Sequence, residues 1–100
     1  MKILVFVNDL FFGVKIESEL RRLNLDFQFL ENLDKLGEFD FLVLDLEKEG
    51  SFEAVQKYPG KTICFCSHKN TELIKKAKDL GCKNVYPRSV FFEMLEKILT

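Results

Sequence analysis

The sequence predicts an α/β domain: three layers, with a parallel sheet between two layers of helices. Three observations lead there. "KILVFV", "FDFLVLDL" and "TICFCS" are continuous apolar runs rather than alternating ones, as suits strands buried on both faces. The segments between and after them carry apolar residues at helical spacing. Strand and helix alternate along the whole chain, the order from which covered parallel sheets are built.

The first strand is Lys2–Val7. From Leu10 to Leu23 the period lengthens, with Phe12, Ile16, Leu20 and Leu23 on one helical face and Asn24 placed to end the helix. "DFQFLE" (Asp26–Glu31) alternates and suits an edge strand. "NLDKLG" turns the chain with a single helical turn at most. "FDFLVLDL" is the second deeply buried strand. Ser51 is placed to cap a short helix, "FEAVQKY", with Glu53 in its first turn; Pro59-Gly60 stops it. "TICFCS" (Thr62–Ser67) is the third buried strand. Asn70 or Thr71 caps "ELIKKAKDL", which turns Leu73, Ala77 and Leu80 inward and ends at Gly81. "NVYP" is a last short strand. Ser89 is placed to cap "VFFEMLEKIL", with Phe91, Met94, Leu95 and Ile98 as its inward stripe.

One hundred residues make one domain, residues 1–100, with a real core and little to spare. A net charge of −1 offers no broad field toward nucleic acid or an anionic membrane. No apolar run approaches a membrane span, and "ILVFV" is too short for a signal-peptide core. Three cysteines in apolar surroundings read as reduced thiols and place the chain in the cytoplasm. Cys64, Cys66 and His68 alternate along one strand face. Only Cys82 remains to join them, and the spacing matches no common zinc pattern, so buried free thiols are expected. The absence of G-x-G-x-x-G and of a Walker-type glycine loop argues against dinucleotide and nucleoside-triphosphate folds.

In such a sheet, ligands gather outside the carboxyl ends of the strands. Those ends carry Asn8 and Asp9, Asp45, Ser67 and His68, and Arg88. A buried strand has no use for an ionised carboxylate along its length. Asp45 therefore reads as a residue that its strand delivers to this rim.

At this point the chain resembles a response-regulator receiver domain. "FDFLVLDL" is similar to the family's buried third strand, which ends in the phosphoacceptor aspartate, here Asp45. "TICFCS" resembles the fourth strand, which ends in a Ser or Thr that binds the phosphoryl group, here Ser67. "LGCKNVYPRS" resembles the stretch that carries the family's lysine, with Arg88 in its place. The resemblance implies a flavodoxin-like sheet of order 2-1-3-4-5, with the second and third helices shortened. It also implies a stand-alone signalling module of a two-component phosphorelay.

The departures from the pattern bear on chemistry. The family holds Mg²⁺ with two acidic residues after the first strand. Here the pair is Val7-Asn8 or Asn8-Asp9, so at best one acid survives, leaving Asp9, Asp45 and Glu47 as Mg²⁺ candidates. A carboxylate attacking a phosphoryl group brings two anions together and needs cations to neutralise them. An incomplete acidic pair favours a pseudo-receiver that acts by protein–protein contact rather than as an enzyme. A phosphorylation-competent receiver using Asp45 is the alternative, and a small enzyme or ligand-binding protein using the same rim is a further one. The resemblance implies a protein partner, a histidine kinase or a downstream target, docked on the last helix and fifth strand. Lys75, Lys78 and Tyr86 would line that face, with Phe92 and Leu99 off the inward stripe and exposed. A homodimer through it is also expected.

Overall fold

The computed structural model describes Met1–Thr100. Five strands and four helices follow one another: β1 (Lys2–Phe6), α1 (Leu10–Arg22), β2 (Asp26–Phe29), β3 (Phe41–Asp45), α2 (Ser51–Lys57), β4 (Thr62–Cys66), α3 (Thr71–Asp79), β5 (Asn84–Pro87) and α4 (Arg88–Leu99). The sheet runs β2-β1-β3-β4-β5 and every neighbouring pair is parallel. This is the flavodoxin-like order expected from the sequence. The connection from β2 to β3 carries no helix.

The pleat divides the buried strand residues between two cores. Ile3, Val5, Val43, Ile63 and Phe65 meet Ile16 and Leu20 of α1 and Phe91, Leu95 and Leu99 of α4. Leu4, Phe6, Leu42, Leu44, Cys64, Cys66 and Val85 meet Ala54 and Val55 of α2 and Ala77 of α3. Continuous apolar runs are therefore needed in the central strands, because both sides of each are covered. No helix is long and apolar enough to cross a membrane.

Helix ends follow local chemistry with three differences from expectation. Asn24 adopts a left-handed conformation after α1 (φ 57°), and Gly81 does so after α3 (φ 97°), where a residue with a Cβ is strained. Ser51 does not cap α2. Gly50 holds the capping position, and the Ser51 hydroxyl donates to the Asp45 carbonyl at 2.5 Å, satisfying the open end of β3. Asn70 precedes α3 without a side-chain capping bond. Ser89 lies inside α4, which begins at Arg88 directly after Pro87.

The inward stripe of α4 also differs. Phe91, Leu95 and Leu99 are the buried residues, a spacing of four, while Met94 and Ile98 are half-buried. Leu99 is thus core, not surface. Phe92 is half-buried, with its ring 5.0 Å from that of Phe12 and 5.3 Å from that of Phe91. Most of the large exposed apolar side chains gather instead at the start of α1 and the end of β2, namely Leu10, Phe11, Val14 and Phe29, with Val90 the one on α4 and Met1 at the terminus.

Candidate functional site

The order of strands reverses between β1 and β3, and the two strands diverge there toward their connections. Asp45, the last residue of β3, sits at this switch point and is only 1% exposed. Its two oxygens are engaged by backbone. Oδ1 accepts the Glu47 N–H at 2.9 Å, which folds the chain back after the strand. Oδ2 accepts the Asn8 N–H at 3.2 Å. A carboxylate on a buried strand is tolerable only with such partners.

The charge partner is Arg88. The first turn of α4 carries its guanidinium across the rim, where Nη1 binds Asp9 Oδ2 at 3.1 Å and Nη2 lies 4.0 Å from Asp45 Oδ2. The guanidinium carbon stands 5.2 Å from the Phe12 ring centre and 5.7 Å from that of Phe65, so two aromatic faces support the cation. Arg88 Nε is buried and has no acceptor. The planar fork is thus anchored by Nη1 on Asp9, with Nη2 near Asp45 and two rings beneath the cation.

Asp9 serves two ends at once. Its Oδ1 caps α1 by accepting the N–H groups of Phe11 and Phe12 at 2.9 and 3.1 Å, and its Oδ2 takes Arg88. The Phe12 N–H first, then the Arg88 charge and the Phe11 N–H, hold its carboxyl below the ordinary range, against an opposing effect of desolvation. The register left open by the sequence resolves accordingly. Asn8 contributes its backbone to Asp45, and Asp9 contributes the one acid.

Glu47 and Ser67 form a second link across the rim. The Ser67 N–H donates to Glu47 Oε1 at 2.7 Å, while Ser67 Oγ accepts from the Lys69 N–H at 3.3 Å. Ser67 makes no bond to Asp45 or Arg88. Beneath them, burial and the nearby charges of Glu47 and Asp45 push the Cys66 thiol up to about 11. His68 is exposed in the loop beyond.

The sequence missed Lys48. Its Nζ donates to the Val7 carbonyl at 3.3 Å and lies 4.5 Å above the Phe6 ring, tying the turn after β3 to the end of β1. Only the alternating charges of "LEKEG" hinted at it. Lys48 borders a groove of about 800 Å³ beside the rim, between α2 and the helix-free β2–β3 connection; Asn8, Glu31, Asp34 and Tyr58 also line it.

The residues as arranged do not fit Mg²⁺. The ion needs near-octahedral oxygen ligation with carboxylates free to turn toward it. Arg88 spans Asp9 and Asp45, Glu47 is spent on the Ser67 N–H, and no three metal-ligating side chains come together. Of the expected set, Asp9 and Asp45 face Arg88 and Glu47 accepts the Ser67 N–H.

Solved structures decide the architecture. The receiver domain of Francisella response regulator 1452 superposes with a TM-score of 0.79 over 98% of this chain and 92% of its own, at 14% identity. The fold is that of response-regulator receiver domains. An orphan response regulator of H. pylori matches this receiver fold with a TM-score of 0.77, 14% identity, and 100% and 97% of the two chains. A response regulator of Burkholderia pseudomallei, solved with a phosphorylated aspartic acid, a calcium ion and citrate, matches at 0.77 and 14% identity over 99% of this chain and 66% of its own. No family model matches the sequence, and no curated protein sequence does.

Proposed function

We propose that residues 1–100 act as a cytoplasmic, receiver-like signalling module that works by protein contact, with Arg88 serving as a built-in cation in place of a metal. One observation carries this reading: the Arg88 fork reaches both Asp9 and Asp45, and Asp45 is closed off from solvent with both oxygens engaged. In a phosphorylating receiver, the acceptor carboxylate must meet an incoming phosphodonor and a metal. Here two backbone donors occupy its oxygens and a guanidinium stands close by to offset its charge. The partner is a protein of a two-component pathway, a histidine kinase or its target. Docking on α4 and β5 has less support than the sequence suggested, since Leu99 is core and Phe92 is half-covered. Leu10, Phe11 and Val14 of α1 offer the larger apolar face.

Incubation with acetyl phosphate and Mg²⁺, followed by intact-mass measurement, tests the closed site. The expected result is no phosphorylated species. Rapid Mg²⁺-dependent labelling that disappears in Asp45→Asn would overturn it and establish a competent receiver.

A further inference from the structure

The core beneath α2 and α3 holds all three cysteines, and none of them takes part in the rim's ion pair. The pleat turns Cys64 of β4 to this side. Cys82 arrives from a different direction, on the turn that closes α3, where Gly81 is left-handed and the Cys82 N–H donates back to the Ala77 carbonyl at 3.1 Å. The result is a sulfur pair: Cys64 Sγ and Cys82 Sγ are 3.7 Å apart, both buried. Two thiols in van der Waals contact across a sheet edge are not required by packing, which any small apolar side chain would satisfy.

The pair is not symmetric. Thr62 Oγ1 lies 3.3 Å from Cys82 Sγ, nearer than its other acceptor, the Pro59 carbonyl at 3.4 Å. A hydroxyl aimed at one sulfur favours the thiolate there. The contact with Cys64 first, and Thr62 after it, hold Cys82 down to about 6 against the opposing effect of burial, while Cys64 is pushed up. As a thiol, Cys82 faces the Asn84 carbonyl at 3.5 Å and the Thr62 carbonyl at 3.7 Å. Cys66 stands apart, with its sulfur against the Asn70 carbonyl at 3.8 Å.

We propose that Cys64 and Cys82 are an oxidisable dithiol that hydrogen peroxide closes to an intramolecular disulfide, leaving Cys66 a free thiol. The Cys82 thiolate attacks one peroxide oxygen and the O–O bond breaks. Cys82 becomes a sulfenic acid, and the departing hydroxide takes a proton to leave as water. Cys64 then attacks the sulfenyl sulfur. The S–S bond forms, the S–O bond breaks, and the second hydroxide leaves as water with the Cys64 proton. Two thiols are oxidised and one peroxide is reduced to two waters. The sulfurs must close from 3.7 Å to about 2.05 Å, with Cys82 on a turn and Cys64 on a strand. The bond would staple β4 to the start of β5 and enclose α3, which restricts the unfolded chain.

The folded wild-type protein, treated with hydrogen peroxide, then denatured and alkylated, tests this by intact mass and peptide mapping. The expected product has one alkylated cysteine, a mass lower by two hydrogens before alkylation, and a Cys64–Cys82 crosslinked peptide. A dithiol reductant should restore three alkylated cysteines. Cys66→Ser should close the same bond, Cys82→Ser should not, and the oxidised protein should melt at a higher temperature than the reduced one. Three surviving thiols after peroxide, or a crosslink that involves Cys66, would overturn the assignment.

Discussion

The two faces of the sheet are built differently. The α1/α4 face is aromatic: Phe12, Phe65, Phe91 and Phe92 form one ring cluster with centroids 4.5 to 5.7 Å apart. The α2/α3 face mixes aliphatic and sulfur-bearing residues with Phe6 and Phe39, which lie outside that ring cluster, under helices of seven and nine residues against thirteen and twelve on the other side. The ring cluster is also the floor on which Arg88 rests. The difference teaches that one face supports the charged rim, while the thinner one leaves a groove beside it and buries the three cysteines.

The strongest way to break this comparison is Phe91→Ala. The ring is fully buried and touches both Phe12 and Phe65, so its loss should destabilise the fold by about 3–5 kcal/mol in urea or thermal unfolding. Val55→Ala on the opposite face removes two methyl groups and should cost clearly less in the same assay. Equal losses would mean that the faces share the load.

Asp45→Asn sharpens the role of the rim. The carboxylate accepts two backbone N–H groups, one on each oxygen, whereas an amide offers a single acceptor and turns a donor toward the other. The variant also removes one of the Arg88 partners. Destabilisation of about 1–3 kcal/mol at neutral pH is expected, and a higher melting temperature would show that burial of the charge outweighs its bonds.

Asp9 supplies a smaller, pH-dependent contribution. Its carboxyl is depressed below its ordinary value of 3.8, so it stabilises the fold above that value and the benefit fades as pH falls through the depressed one. Asp9→Ala should therefore be less stable than wild type at neutral pH, with the gap closing in strong acid. A gap that persists there would show that the capping role does not depend on charge.

The smallest effect on stability is expected at Phe11→Asp, within about 0.5 kcal/mol, because the side chain is 86% exposed. Its effect on association should be large. Wild type should self-associate in the micromolar range by sedimentation and the variant should not, whereas Phe92→Asp should leave association in place. The opposite result would return the contact to α4.

Much of this is legible in the sequence. Continuous apolar runs mark β1, β3 and β4, and the polar residue that ends each run, Asn8, Asp45 and Ser67, marks the rim; Arg88 stands out as the charge that follows the short β5. The partnership of Arg88 with Asp9 is not legible, because it depends on the angle at which α1 leaves β1 and on which residue caps it. The inward face of α4 is ambiguous for a different reason. Val90, Phe91, Phe92, Met94, Leu95, Ile98 and Leu99 are all apolar, so the pattern permits more than one rotation about the helix axis. Contact with Phe12 chooses among them, and that contact is between residues far apart in the chain. Ser51 misleads because a hydroxyl before a helix can cap it or close the end of the preceding strand, and the open carbonyl of Asp45 wins.

β5 passes into α4 without an intervening loop: Pro87 ends the strand and Arg88 begins the helix. Strand and helix share a rigid joint, with the proline's fixed φ at its pivot. There is no slack to absorb a displacement of the helix. A protein that tilts α4 by even a small angle must swing the guanidinium with it, away from Asp45 or toward it. The rim then works as the short arm of a lever whose long arm is the helix.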